Sequence, residues 1–174
     1  MSQRTELEAA YARAVYRVDV PARPIFLHVG EASPELALWL AARGAQRFAF
    51  LSAANPGSEP LPEAENARRH RRLVERVGTI GLPAIGGESC EAVSGGWREA
   101  SLLVAGLERE AAIALAREFG QAALLAGELG GPVELLFAVI SRVRLDSLID
   151  SLQGGGRACA KDSSVDCWTV KIIH

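Results

Sequence analysis

The alternation of short apolar runs with helical patterns constrains the fold of this chain more than any other feature. Residues 25–29 and 47–53 are apolar runs of strand length. Each is followed by a helical pattern, over residues 34–43 and 62–77, and glycine or proline marks the breaks. Strands and helices in such an order pack as layers of one domain. We therefore expect an α/β or α+β fold.

Further predicted helices and strands extend this pattern toward both ends of the chain. A mixed sheet of about five or six strands flanked by helices accounts for all of them. The additional predicted elements are a helix over residues 5–15, an edge strand over 79–85, a glycine-rich loop from Gly86 to Gly96, a strand over 101–107, a helix over 108–119 and a strand over 121–126. Residues 1–140 are expected to form one domain. Residues 141–174 are expected to form a C-terminal extension with an amphipathic helix and a glycine-rich linker.

Charge and cysteine content narrow the classes of function. The 174 residues carry a formal net charge of -2, which provides no general attraction for nucleic acid or an anionic membrane. The three cysteines are widely spaced and form no CxxC pair, so we expect neither structural zinc nor another cofactor. The amino terminus lacks the apolar segment of a signal peptide, and no apolar run reaches the length of a membrane span. We therefore expect a cytoplasmic protein of bacterial type, and its oligomeric state stays open.

Asn55-Pro56-Gly57-Ser58 follows the second strand and is the first candidate for a functional loop. Asparagine and glycine tolerate positive φ, so a turn alone explains the segment. Alternatively, the loop amides and the start of the next helix donate to a polar or anionic ligand that Asn55 and Ser58 bind. No glycine-rich phosphate-binding motif accompanies the loop, so nucleotide binding is not indicated.

The helix over residues 62–77 carries the next candidates. One stripe of this helix consists of Asn66, His70, Leu73 and Val77. Asn66 and His70 either fix the loop by hydrogen bonds or line a pocket. Glu65 and Arg69 have the spacing of an i,i+4 ion pair, and Arg69 is also a candidate for binding negative charge. The other arginines spread around the helix and indicate a solvated face.

Trp97, Glu99 and Ser101 alternate into a predicted strand, so their side chains are expected on one face. Glu99 is either a base or ligand anchor, or the partner of an arginine, for which Arg69 is the natural candidate. Gln121 directly follows a predicted helix, and its amide either holds a ligand or caps a turn. Ser101 lacks a GxSxG motif and the histidines form no visible triad, so serine hydrolysis is not indicated.

The ordered set of these motifs is more specific than any one of them. Its residues are Asn55, Pro56, Ser58, Glu65, Asn66, Arg69, Leu73, Trp97, Glu99, Ser101, Phe119, Gly120, Gln121 and Ala123. The set resembles the bacterial family catalogued as domain of unknown function 3293, over roughly residues 11–138. The resemblance implies a compact α/β domain and implies no particular reaction.

Three functional hypotheses follow. The leading one is the binding of a polar or anionic small molecule, or of a protein partner, through Asn55, Ser58, Asn66, Arg69 and Gln121. The alternative is an enzyme in which Glu65 or Glu99 is the general base and His70 the acid, acting on an unidentified polar substrate. The third is an interaction module, which an exposed apolar patch on the helix or the C-terminal extension would indicate.

Overall fold

The computed structural model describes residues 9, 11–91 and 97–138. Its strands are β1 Val15–Val18, β2 Ile25–Leu27, β3 Arg47–Ser52, β4 Ala84–Cys90, β5 Arg98–Ala105, β6 Ala123–Glu128 and β7 Glu134–Phe137. Its helices are α1 Pro34–Ala41, α2 Glu63–Ile80 and α3 Arg109–Glu118, with a short 3-10 turn at Pro56–Ser58. The predicted C-terminal extension, 141–174, and the start of the first predicted helix lie outside the described residues.

All seven strands form one sheet, in the order β2-β1-β4-β5-β3-β6-β7. Every pair of neighbouring strands is antiparallel. The expected mixed sheet of five or six strands is therefore corrected to a seven-stranded antiparallel sheet, and the fold is α+β. The reason lies in β5, which pairs with both β4 and β3 and so separates the two strands that α2 connects. Both strands are antiparallel to β5, so β3 and β4 run parallel to each other but do not pair directly.

The sheet curls until its two edges meet. Val29, just after β2, forms a parallel bridge with Val133, and Ala32 forms an antiparallel bridge with Pro132. The inner face of the curled sheet holds large apolar side chains from five strands and packs against α1. Its main members are Tyr16, Val18, Leu27, Phe48, Phe50, Leu103 and Leu125, together with Leu36, Trp39 and Leu40 of α1.

The outer face of the sheet packs against α2 and α3. Leu73 and Val77 of α2 are buried there, which confirms the apolar half of the predicted stripe. Ala112, Leu115 and Ala116 of α3 fill the neighbouring part of the same core cluster. Each face of the sheet is thus covered by helix, and the end of β3 lies between the two cores.

The region from β1 to β4 departs most from the sequence-based expectations. β1 begins at Val15, the residue at which the first helix was expected to end, and this strand was not predicted. The helix α2 passes Gly78 and ends at Gly81, which has a φ of 77°. The expected edge strand over 79–85 is wrong, and so is the loop over residues 86–90, because the strand Ala84–Cys90 pairs on both sides. No helix among the described residues is long and apolar enough to cross a membrane.

Candidate ligand-binding site

Three consecutive residues that follow β3 are held in place by side chains from α2 and from the end of α3. The backbone oxygen of Ala53 accepts a hydrogen bond from Arg69 Nε at 2.7 Å. The backbone oxygen of Ala54 accepts one from Gln121 Nε2 at 2.6 Å. Asn55, the third residue, contacts Asn66 through both its backbone and its side chain. We call this set of contacts the loop network.

Asn55 is the centre of the loop network and has a left-handed backbone, with a φ of 44°. Its Oδ1 accepts hydrogen bonds from the Leu61 backbone at 3.0 Å and from Asn66 Nδ2 at 2.8 Å. Its Nδ2 donates to Glu99 Oε1 at 3.1 Å. Asparagine tolerates this backbone conformation better than most residues. Asn55 therefore links the loop, α2 and β5 through one side chain.

Arg69 binds main-chain oxygens rather than a carboxylate. Besides the oxygen of Ala53, its guanidinium donates to the oxygen of Phe119 at 2.7 Å, which joins the end of β3 to the end of α3. Burial lowers the pKa of Arg69. Arg69 is therefore not the arginine partner that was considered for Glu99, whose Oε1 accepts a hydrogen bond from Asn55 Nδ2.

Glu65 lies on the surface of α2 and pairs with a different arginine from the one expected. Its carboxylate contacts Arg68 at 2.7 Å, with i,i+3 spacing. The hydrogen bond from Arg68 lowers the pKa of Glu65. Glu65 is thus a member of a solvated ion pair, outside the loop network.

His70 is half-buried on α2, and its Nδ1 is buried without a hydrogen-bond partner among the described residues. Burial lowers the pKa of His70. Ser58 belongs to the 3-10 turn Pro56–Ser58, and its side chain lies outside the described part of the chain.

A cleft opens at the end of the inner face, beside the loop network. We call it the polar cleft because four buried polar or charged side chains line it: Ser52, Ser89, Glu99 and Gln121. The fifth such side chain in the described part of the chain is Ser101, whose hydroxyl lies 2.8 Å from the hydroxyl of Ser89. The expectation that Trp97, Glu99 and Ser101 share a face agrees with this arrangement.

Four aromatic rings also line the polar cleft. Tyr11 and Trp97 have ring centroids 6.4 Å apart, and Tyr16 and Phe50 pack edge to face at 6.2 Å. The Tyr16 hydroxyl donates to the backbone oxygen of Tyr11 at 3.1 Å. Burial raises the pKa of both tyrosines, so both hydroxyls stay protonated at neutral pH. The volume of the cleft is about 30 Å³, room for about two water-sized groups.

Comparison with known families supports one of the expectations from the sequence. Residues 51–124 match the family described as Protein of unknown function (DUF3293). The predicted resemblance is confirmed. The matched segment runs from β3 into β6 and contains the whole loop network and all four polar side chains that line the cleft. No curated protein and no solved structure matches the chain.

The sequence patterns found the loop network but missed half of the cleft. Ser89 and both tyrosines were not candidates, because β1 and β4 were not recognised as strands. Their positions follow from the register, in which Ser89 lies opposite Glu99 on β5 and also opposite Tyr16 on β1. One signal was present in the sequence, because its two tyrosines, Tyr11 and Tyr16, lie close together along the chain.

Proposed function

We propose that this protein binds a polar small molecule in the polar cleft, with Glu99 and Gln121 as the main polar contacts. The observation that carries the proposal is the gathering of all five buried polar or charged residues of the described chain at one end of the inner face. Burying polar groups costs free energy unless they are hydrogen-bonded, so such a concentration is typical of a site rather than of a core.

Free hydrogen-bonding capacity supports Gln121 as a ligand contact. Its Nε2 donates to the backbone of Ala54, and no donor among the described residues reaches its Oε1. The carboxamide oxygen of Gln121 is therefore the acceptor to which a ligand with an N–H or O–H group would donate in this proposal. Glu99 lines the same cleft and accepts a hydrogen bond from Asn55 Nδ2 at Oε1.

The loop network acts in this proposal as a support rather than as the binding surface. The carboxamide of Asn66 forms hydrogen bonds with Asn55 and Leu61. The guanidinium of Arg69 donates hydrogen bonds to two backbone carbonyl oxygens. These contacts fix the position of Asn55, which orients Glu99 through its own hydrogen bond. Three of the residues first proposed to bind the ligand thus become positioning residues: Asn55, Asn66 and Arg69. Ser58 stays a candidate ligand contact in the 3-10 turn that follows Asn55.

Binding is better supported than catalysis. The enzyme hypothesis needs a carboxylate and His70 in one cleft, and Glu99 lines the polar cleft whereas His70 is not among its described lining residues. Glu65 has a surface arginine as its partner. The widely spaced cysteines favour a reducing compartment, so we place the proposed binder in the bacterial cytoplasm.

A thermal-shift screen of the full chain against a library of polar metabolites tests this function. A ligand that binds only the folded state raises the melting temperature with its concentration. We expect Glu99→Gln and Gln121→Leu to weaken each hit at least tenfold, while Glu65→Gln, the same change at a surface position, leaves it unaltered. Hits that respond equally to all three variants would place binding elsewhere, and a library without hits would overturn the proposal.

A further inference from the structure

The serine hydroxyls of the polar cleft donate their hydrogens within the protein. Ser52 donates to the backbone oxygen of Ala100 at 3.0 Å. The hydroxyl of Ser101 donates to the backbone oxygen of Glu99 at 3.2 Å and lies 2.8 Å from the hydroxyl of Ser89. A hydroxyl has one hydrogen, so the donor between the two serines is Ser89. Ser52 and Ser89, which line the cleft, therefore keep acceptor positions and no free hydrogen.

The carboxamide of Gln121 adds an acceptor whose orientation is fixed. The backbone oxygen of Ala54 can only accept, so the Gln121 atom that lies 2.6 Å from it is Nε2. Oε1 is then left for another partner, and no donor among the described residues reaches it. Gln121 is 2 % exposed, yet its Oε1 is not among the fully buried polar atoms without a partner in the described part of the chain, which are Trp39 Nε1 and His70 Nδ1. The cleft that Gln121 lines provides this opening.

Tyr11 supplies a donor hydrogen to the same cleft. Burial raises the pKa of Tyr11, so its hydroxyl is protonated at neutral pH. This hydroxyl donates to no acceptor in the described part of the chain, whereas the Tyr16 hydroxyl donates to the backbone oxygen of Tyr11. Tyr11 is 8 % exposed and lines the cleft. The cleft thus offers a donor hydrogen together with several acceptors, all of them on neutral side chains.

We infer that the group entering the polar cleft is a hydroxymethyl group, so that the ligand is a primary alcohol. This inference rests on the proposed function and specifies the ligand class of the same site. A hydroxyl donates one hydrogen and accepts another, so it can donate to Oε1 of Gln121 and accept from Tyr11. The carbon and the oxygen of a hydroxymethyl group fit the cleft volume of about 30 Å³, which holds about two water-sized groups.

The same contacts disfavour other small groups. An ether, carbonyl or carboxylate oxygen has no hydrogen for Gln121, and its lone pairs would meet those of Ser52 and Ser89. An ammonium has no acceptor position for the hydrogen of Tyr11, and neutral acceptors do not balance its charge. A carboxamide group has three heavy atoms, which is more than the cleft volume holds. Hydrogen bonding and size together therefore favour a hydroxyl on one carbon.

Four probes test the inference on the isotope-labelled full chain at pH 7: 1-butanol, its isomer 1-methoxypropane, butylammonium and butyrate. Nuclear magnetic resonance follows the carboxamide N–H signals of Gln121, which Gln121→Met identifies by their loss. The chain has four glutamines and two asparagines, so few such signals overlap. We expect 1-butanol to shift the Gln121 signals in a saturable way, and the other three probes to bind at least tenfold more weakly.

Each other result of this titration overturns the inference. Equal affinity for 1-methoxypropane would show that the hydroxyl hydrogen is not recognised, and stronger binding of either ion would assign a different ligand class. Binding of 1-butanol that leaves the Gln121 signals unmoved would place the alcohol outside the cleft. If 1-butanol does not bind while library hits still depend on Gln121, the alcohol inference fails and the proposed function stands.

Variants assign the two hydrogen bonds. Tyr11→Phe keeps the ring and removes the hydroxyl, so we expect it to weaken 1-butanol several-fold, measured on the Gln121 signals. Gln121→Met removes the acceptor at similar length and is expected to cost at least tenfold in affinity, measured on the backbone N–H signals of the cleft. Gln46→Met makes the same change at an exposed position and is expected to change nothing. Far-UV circular dichroism verifies that each variant is folded. An unaltered affinity in either folded cleft variant would overturn the inference.

Discussion

The carboxamide of Asn66 holds Asn55 at two points. Its Oδ1 accepts the backbone N–H of Asn55 at 2.9 Å, and its Nδ2 donates to the Asn55 side-chain oxygen at 2.8 Å. The same Nδ2 also donates to the backbone oxygen of Leu61 at 3.2 Å. Regular strand pairing stops at the end of β3, and beyond it the side chain of Asn66 on α2 supplies the hydrogen-bond partner of the Asn55 backbone. The two hydrogen bonds between Asn66 and Asn55 stabilise the left-handed backbone of Asn55. They also hold the Asn55 side chain where it donates to Glu99.

The first prediction concerns the two donor hydrogens of Asn66. The change Asn66→Asp removes both and turns a carboxylate oxygen toward the oxygens of Asn55 and Leu61. We expect the free energy of unfolding to fall by about 2–3 kcal/mol, because the side-chain oxygen of Asn55 and the backbone oxygen of Leu61 each lose one donor and then face a carboxylate oxygen. Urea denaturation followed by circular dichroism measures the loss.

Ala67→Asp is the matched control for this variant. Ala67 is the next residue on α2 and is exposed. An aspartate at this position adds the same charge to the first turns of the helix and leaves the loop network intact. Exposed substitutions of this kind change stability by about 0.5 kcal/mol or less. A loss in Asn66→Asp no larger than that in Ala67→Asp would show that the Asn55–Asn66 pair does not stabilise the loop.

The second prediction separates the structural role of Arg69 from a role in binding charge. Arg69→Ala leaves the oxygens of Ala53 and Phe119 without their donor, so we expect a loss of about 2–4 kcal/mol in unfolding free energy. Arg69→Lys should recover only part of it, because one ammonium cannot reproduce the planar fork of a guanidinium. Chemical denaturation of both variants provides the measurement.

Arg68→Ala is the control for Arg69. Arg68 makes an exposed pair with Glu65, and such pairs contribute about 0–1 kcal/mol. If Arg69→Ala lowers the free energy of unfolding no more than Arg68→Ala does, the hydrogen bonds from Arg69 to the two carbonyl oxygens do not hold the end of β3 to the end of α3.

Local signals predicted the parts of the fold whose partners lie nearby in sequence. The helix α1 has the expected serine cap, since Ser33 Oγ accepts the Leu36 backbone N–H at 3.2 Å, and Pro34 begins the helix. The strand β3 was also found as an apolar run, because it is buried on both faces. These elements are determined by their own residues.

Long-range pairing explains what the sequence patterns missed. Gly86 and Gly87 read as a loop, yet both lie in β4 and pair with Leu102 and Ser101 of β5. Likewise, the candidate cluster around Asn55 was found from periodicity, but the periodicity could not show whether Arg69 would face a carboxylate or a carbonyl oxygen. That choice depends on where α3 ends, which is 50 residues away in the chain.

The third prediction concerns the two adjacent glycines of β4. A Cβ on Gly87 would lie 2.8 Å from a ring carbon of Phe50 and would collide with the backbone oxygen of Arg17. We expect Gly87→Ala to lower the free energy of unfolding by about 1–3 kcal/mol, because β1 or the Phe50 ring must move. Gly86→Ala meets no atom within 4 Å and is expected to be neutral or slightly stabilising. Thermal denaturation of the pair measures the difference, and equal melting temperatures would contradict the close approach of β1 to β4.

The fourth prediction is a dependence of stability on pH that comes from His70. Burial lowers the pKa of His70 below its ordinary value of 6.5 in the folded state. Above that value the imidazole is neutral in both the folded and the unfolded chain, so it contributes no dependence on pH. As the pH falls through 6.5 toward the lowered pKa, the unfolded chain takes up the proton first and the free energy of unfolding decreases.

His70→Gln tests the assignment of this pH dependence. Protonation would place a second N–H at the buried Nδ1, which has no acceptor among the described residues, whereas glutamine does not titrate. We expect urea denaturation between about pH 7.5 and 5 to show a steeper loss of stability in the parent than in His70→Gln. His28→Gln is the matched control, because it makes the same change at an exposed position. If the slope persists in His70→Gln, another group carries it, and the half-buried imidazole is protonated as readily in the folded chain as in the unfolded one.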